Sequence, residues 1–138
     1  MPNEDDKAVL RRWAAAWNEH DPNAAAALLT EGYVRHDANG PDVVGPADAI
    51  VFLQTIFDAF PNLRLDESEL ISEGNLVAVR YVVTGTHQGA FNGIPPSGRD
   101  VNFEAHDWFK VEDGKIAEQW VILDVLGLLQ QIGAIPAN

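Results

Sequence analysis

The chain has no cysteine among its 138 residues, which excludes disulfides, thiolate nucleophiles and Cys-ligated metal centres. Cationic side chains are scarce: nine Lys and Arg against 21 Asp and Glu, a formal net charge of -12. Such a surface repels nucleic acid and anionic lipid, so neither is expected as a partner. No apolar run approaches membrane-spanning length, and no membrane association is expected. The first residues, Met1-Pro2-Asn3-Glu4-Asp5-Asp6, are polar and acidic, unlike a signal peptide. A soluble, cytoplasmic protein is the expectation. The length fits one domain, 1–138, able to bury a core without metal or disulfide. The aromatic residues, including four Trp and six Phe, suffice for an aromatic-lined cavity and equally for an ordinary core.

Helical periodicity comes first. Val9, Leu10, Trp13, Ala14 and Trp17 recur at spacings of three and four, and the pattern stops near His20. Asp21 and Pro22 then cap and open a short Ala-rich helix over 23–29. A short strand follows at Tyr33-Val34-Arg35-His36, then a loop, Asn39-Gly40-Pro41-Asp42. Pro46 opens a third helix that halts before Pro61, with Ile50, Leu53, Ile56, Phe57 and Phe60 towards the core.

The period then changes to that of strands. They span 63–72 and 76–86 about the turn Glu73-Gly74-Asn75, and two longer ones flank Asp113-Gly114 after a Gly/Pro-rich loop, 88–98. Residues 125–132 read as a final helix. Helices first and an antiparallel sheet afterwards predict an α+β layer fold, with the helices on one face of a curved sheet and a pocket between.

The register of the last hairpin decides which side chains face that pocket. A three-residue loop ending in Gly114, with a bulge, pairs Val111 with Lys115 and His106 with Trp120. Glu104, His106, Trp108, Glu118, Trp120, Ile122 and Asp124 then share a face, taken as the inner one. Asp124 ends an apolar strand and serves either as a helix N-cap or as a proton-transfer carboxylate. His106 is its expected companion, or a core histidine held by Glu104. A two-residue turn at Asp113-Gly114 is the alternative that puts His106 on the other face.

Other expected pocket residues are His36, His87, Arg80, Trp108, Trp120, Trp17 and Phe91. His87 alternatively anchors the Gly/Pro loop. Arg80 alternatively pairs with Glu69 or Glu104, as a mid-strand Arg requires. The histidines match no compact ligand motif, so no metal is expected. On the outer face Phe103, Phe109 and Val121 predict a homodimer, since a contiguous apolar face seldom stays bare.

Three segments carry a resemblance. They are Gly85-Thr86-His87-Gln88-Gly89-Ala90-Phe91-Asn92-Gly93-Ile94-Pro95-Pro96-Ser97-Gly98-Arg99, then Phe109-Lys110-Val111-Glu112-Asp113-Gly114-Lys115-Ile116-Ala117-Glu118-Gln119-Trp120, then Asp124 to Gly133. Together they resemble SnoaL-like polyketide cyclases, also called ester cyclase-like proteins. The resemblance implies a nuclear transport factor 2-like cone and a homodimer. It also implies a cofactor-free intramolecular aldol condensation on an apolar or aromatic, carbonyl-bearing small molecule. Asp124 would be the acid/base, with His106 in the pocket. Related cones house isomerases and epoxide hydrolases. Their sites call for a carboxylate where His36 stands and a Tyr where the first helix has Trp13 and Trp17, or for an Arg and an Asp two apart on one strand, whereas Arg80 is followed by Val82. A non-catalytic binder of apolar ligands is the alternative from another class.

Overall fold

The computed structural model describes residues 4–136. The first helix, α1 (Glu4–Asn18), buries Val9, Leu10, Trp13 and Ala16 on one face. Two residues beyond its end, His20 has a left-handed φ of 54° and turns the chain away from the helix axis. Asp21 caps the next helix, α2 (Pro22–Ala26), by accepting from the Ala24 amide at 3.0 Å. Then come β1 (Leu29–Asp37), β2 (Val43–Val44) and α3 (Gly45–Ala59). The chain closes with β3 (Arg64–Glu73), β4 (Leu76–Thr86), β5 (Asp100–Glu112), β6 (Lys115–Leu123) and α4 (Val125–Gln131).

The six strands form one sheet in the order β2-β1-β6-β5-β4-β3. Every pair is antiparallel except β1 and β6, which run parallel, with Arg35 opposite Gln119 and His36 opposite Trp120. The sheet is thus mainly antiparallel, as expected, with one parallel pair at β1, which is longer than expected. The α1 terminus is fixed to edge strand β3 by one amide. Asn18 accepts from the Leu65 N–H at 2.7 Å and donates to the Leu65 carbonyl at 2.9 Å.

The hairpin between β5 and β6 sets the faces. Glu112 pairs with Lys115, so the turn has two residues, Asp113 (φ 50°) and Gly114 (φ 76°). Two successive positive φ values make the tight turn that suits strand twist, and Gly takes the second at no steric cost. A bulge lies one step into the strands: Val111 pairs with Ile116 but Lys110 with Glu118, leaving Ala117 extra. This corrects the three-residue loop. His106 pairs with Ile122, not Trp120, and Trp108 faces Trp120.

The helices cover the face lined by Val101, Ala105, Asp107, Phe109 and Val111 of β5, with Gln119 and Val121 of β6, all buried. Glu104, His106, Trp108, Glu118, Trp120 and Ile122 do share a face, but it is the outer one. Trp108 there is 53% exposed and Ile122 65%. Phe109 and Val121 are core residues, so the apolar outer patch consists of Trp108, Trp120 and Ile122 instead.

Candidate active site

Between the helices and the inner sheet face lies a cavity of about 530 Å³. Trp13 and Trp17 of α1 and Phe52 and Ile56 of α3 form its roof. Tyr81, Val83, Phe103, Ala105, Val121 and Leu123 form much of its floor. The rim carries Asn39, Gly40 and Pro41, then Phe91, Asn92 and Ile94 from the Gly/Pro loop, and Val125 and Leu129 of α4. Such a shape suits a largely apolar small molecule fixed by a few polar groups.

Those polar groups sit on three neighbouring strands. Asp107 of β5 is 7% exposed and lines the cavity. Its Oδ2 accepts from Gln119 Nε2 of β6 at 2.9 Å, and Gln119 Oε1 accepts from the Tyr33 hydroxyl of β1 at 2.5 Å. Asp107 Oδ1 is buried with no protein partner. Burial pushes the Asp107 carboxyl up to about 7. The Gln119 hydrogen bond and the Arg35 guanidinium hold it down, Asp37 raises it, and His106 lowers it slightly from the far face. Burial likewise raises the hydroxyls of Tyr33 and Tyr81, so both remain protonated donors.

Arg35 of β1 stands beside Gln119. Its Nη1 donates to Asp37 Oδ2 at 3.1 Å, and its guanidinium carbon lies 4.4 Å from the Phe52 ring centroid. Asp37 Oδ1 accepts from the Asn39 amide at 2.8 Å, tying this pair to the rim. Arg35 Nε is buried without a partner, and so is Trp17 Nε1. Three cavity-lining residues therefore each present one unpaired buried polar atom: two N–H donors and one oxygen able to take or give a proton. Buried polar atoms are normally paired, so such a cluster marks a place where a ligand or water completes the bonding.

The expected site residues divide sharply. Trp17 and Phe91 line the cavity. His106 is exposed on the outer face, with Nε2 3.5 Å from Glu104 Oε1. Trp108 and Trp120 are on that face too, because the alternation of β5 and β6 puts their neighbours inside. His36 also faces outward, held by Glu118 at 2.7 Å and stacked on Trp120. Arg80 forms an exposed ion pair with Glu69 at 3.0 Å, its structural alternative. His87 is fully buried but outside the cavity lining. Its Nδ1 accepts from the Ser97 amide at 3.1 Å, which anchors the loop. Asp124 is exposed and accepts from the Gly127 amide at 2.8 Å. It caps α4 and does not line the cavity. Asp107, Gln119, Arg35 and Asp37, which line the cavity, and Tyr33 behind Gln119 are not among the residues expected from the sequence. Among the described residues no three metal-ligating side chains converge, and no helix is long and apolar enough to cross a membrane.

Residues 7–132 match the SnoaL-like polyketide cyclase family. The chain belongs to that family. An aklanonic acid methyl ester cyclase of Streptomyces peucetius is 28% identical over 130 residues, covering 91% of this chain and 88% of that one. A nogalonic acid methyl ester cyclase of Streptomyces nogalater is 30% identical over 105 residues, 67% of this chain and 78% of that one. The solved structure of a proposed hydroxylase from Streptomyces galilaeus superposes with a TM-score of 0.87 at 30% identity, covering 98% of this chain and 85% of that one. The SnoaL-like assignment accounts for the helix-covered curved sheet.

Proposed function

We propose that this SnoaL-like protein is an acid/base enzyme that closes a ring within a polyketide-type, carbonyl-bearing small molecule. Asp107, rather than Asp124, is its proton-transfer group. The observation that carries this reading is the unpaired, buried Asp107 Oδ1 in an apolar cavity, on a carboxyl raised to about 7. A group with that affinity both takes and returns a proton near neutral pH.

In the proposed step Asp107 Oδ1 removes a proton from a carbon beside a carbonyl. The electron pair moves onto the carbonyl oxygen, which accepts from Arg35 Nε–H or Trp17 Nε1–H. The enolate carbon bonds to a second carbonyl carbon of the same molecule. The oxygen of that carbonyl takes the proton back from Asp107, so the product is an isomer of the substrate. Donors fixed in a dry cavity stabilise developing oxygen charge more than water does.

The names of the relatives supply the probes. Aklanonic and nogalonic acid methyl esters should be converted by the wild type. Asp107→Asn should lower conversion by roughly 100-fold or more, the usual contribution of a positioned acid/base. Asp124→Asn should convert at the wild-type rate. The reverse pattern would return the chemistry to Asp124.

A hydrolytic reading has one observation in its favour. Arg35 and Asp37 stand two apart on one strand and both line the cavity, the arrangement that Arg80 lacked. A product heavier by one water would support it. The outer-face patch of Trp108, Trp120 and Ile122 supports a homodimer through the sheet.

A further inference from the structure

Asp107 does not meet Gln119 and Tyr33 by chance of packing alone; the three make a directed chain. The Tyr33 hydroxyl, fully buried, donates to Gln119 Oε1, which fixes the amide so that Nε2 points at Asp107. An N–H can donate only to an acceptor. In the neutral carboxyl the better acceptor is the carbonyl oxygen, so Oδ2 takes that role and the hydroxyl falls to Oδ1. Oδ1 is the oxygen that lacks a protein partner. Were the amide turned over, its Oε1 would face Asp107, the proton would settle on Oδ2 between the two side chains, and Oδ1 would present no hydrogen. Tyr33 disfavours that state, because its own O–H would then lose its acceptor at a fully buried site.

We propose that Gln119, oriented by Tyr33, is the positioning residue that assigns the exchangeable proton of Asp107 to Oδ1 and so aims it into the cavity. This deepens the acid/base reading and rests on it for its catalytic meaning, but the proton placement itself needs no turnover to be tested. The bond from Gln119 persists in both protonation states and is stronger to the carboxylate, so it also holds the Asp107 titration below where burial alone would set it. The other groups that bear on Asp107 are Arg35 and Asp37 from β1, Tyr81 from β4, and His106 from the outer face of its own strand. The cavity residues of α1, α3 and α4 are apolar or indole side chains with no titratable group.

The test is a ¹³C NMR titration of the Asp107 carboxyl carbon in the full chain, assigned by its loss in Asp107→Asn. Gln119→Leu removes the donor, and Tyr33→Phe leaves Gln119 in place but frees its amide to turn. Gln119→Leu should raise the midpoint by about one pH unit or more, the size expected for losing a hydrogen bond to a charged group. Tyr33→Phe should raise it by less, because the carboxylate can still accept from Gln119 while the neutral carboxyl gains the turned amide as a partner. Tyr33→Phe is the milder change and serves if Gln119→Leu does not fold. A midpoint unmoved in both folded variants would overturn the proposal. Movement in Gln119→Leu but none in Tyr33→Phe would overturn the orienting role of Tyr33. If the midpoints shift while Asp107→Asn still converts the two methyl esters, the acid/base reading fails and the proton placement stands. If Asp107→Asn abolishes conversion and the midpoints stay, the placement fails alone.

Discussion

Asp107 should make the protein less stable as pH rises through neutrality. Its carboxyl titrates at about 7 in the fold, against 3.8 for the free group. Between those values the native state holds a proton that the unfolded chain has released, so unfolding loses a proton and stability falls as pH rises. The stabilisation is fully present below about pH 4 and gone above about pH 7. Each unit of difference is worth about 1.4 kcal/mol, so the whole window amounts to roughly 4 kcal/mol. Asp107→Asn keeps an acceptor for Gln119 Nε2 and has no proton to lose. Denaturant unfolding of both proteins at pH 5 and pH 8, at one protein concentration, isolates the term. Wild type should lose roughly 3 kcal/mol relative to the variant over that interval. In thermal melts this is about 10 °C. Other carboxylates titrate in both proteins and cancel in the difference. Parallel pH profiles would show that Asp107 is not a buried acid in solution, and the reading of the cavity would fall with it.

Three further outcomes follow from named contacts. Asp124→Ala should cost about 1 kcal/mol in denaturant unfolding through loss of the α4 cap, while Asp124→Asn costs little; equal losses would mean the carboxylate does more than cap. Gly89→Ala should loosen the rim loop, because a Cβ there runs into the backbone carbonyl of Asp58, which cannot yield; faster amide exchange over 88–98 is the readout, and unchanged exchange contradicts it. Light scattering at micromolar concentration should give twice the chain mass, and Trp108→Glu with Ile122→Glu should halve it, since both side chains stand exposed on the outer sheet.

The first and third helices and the capping of α4 by Asp124 were legible because each is written in a few adjacent residues. By contrast, α2 stops at Ala26, short of 29, and Glu73 pairs with Leu76, so the turn there is Gly74-Asn75 alone. The face of β5 was legible too, in the composition of the strand rather than in the length of the turn. Val101, Phe103, Ala105, Phe109 and Val111 form an apolar row against Asn102, Glu104, His106, Trp108 and Lys110. The row assigns Asp107 to the inside, as a lone carboxylate among apolar neighbours. Turn length was the weaker guide, since a bulge at Ala117 separates turn geometry from register. The partners of Asp107 were not legible locally. Tyr33 and Gln119 are 86 residues apart and meet only because β1 runs parallel beside β6. A two-residue strand such as β2 leaves no periodicity to read.

The central claim is that Asp107 moves a proton to and from carbon. Deuterium incorporation from D₂O into aklanonic acid methyl ester, at the carbon beside the reacting carbonyl, measures that step without requiring ring closure to be complete. Wild type and Asp124→Asn should label the ester or its product at equal rates, with Asp107→Asn slower by about 100-fold or more. Labelling by Asp107→Asn at the wild-type rate would contradict the account.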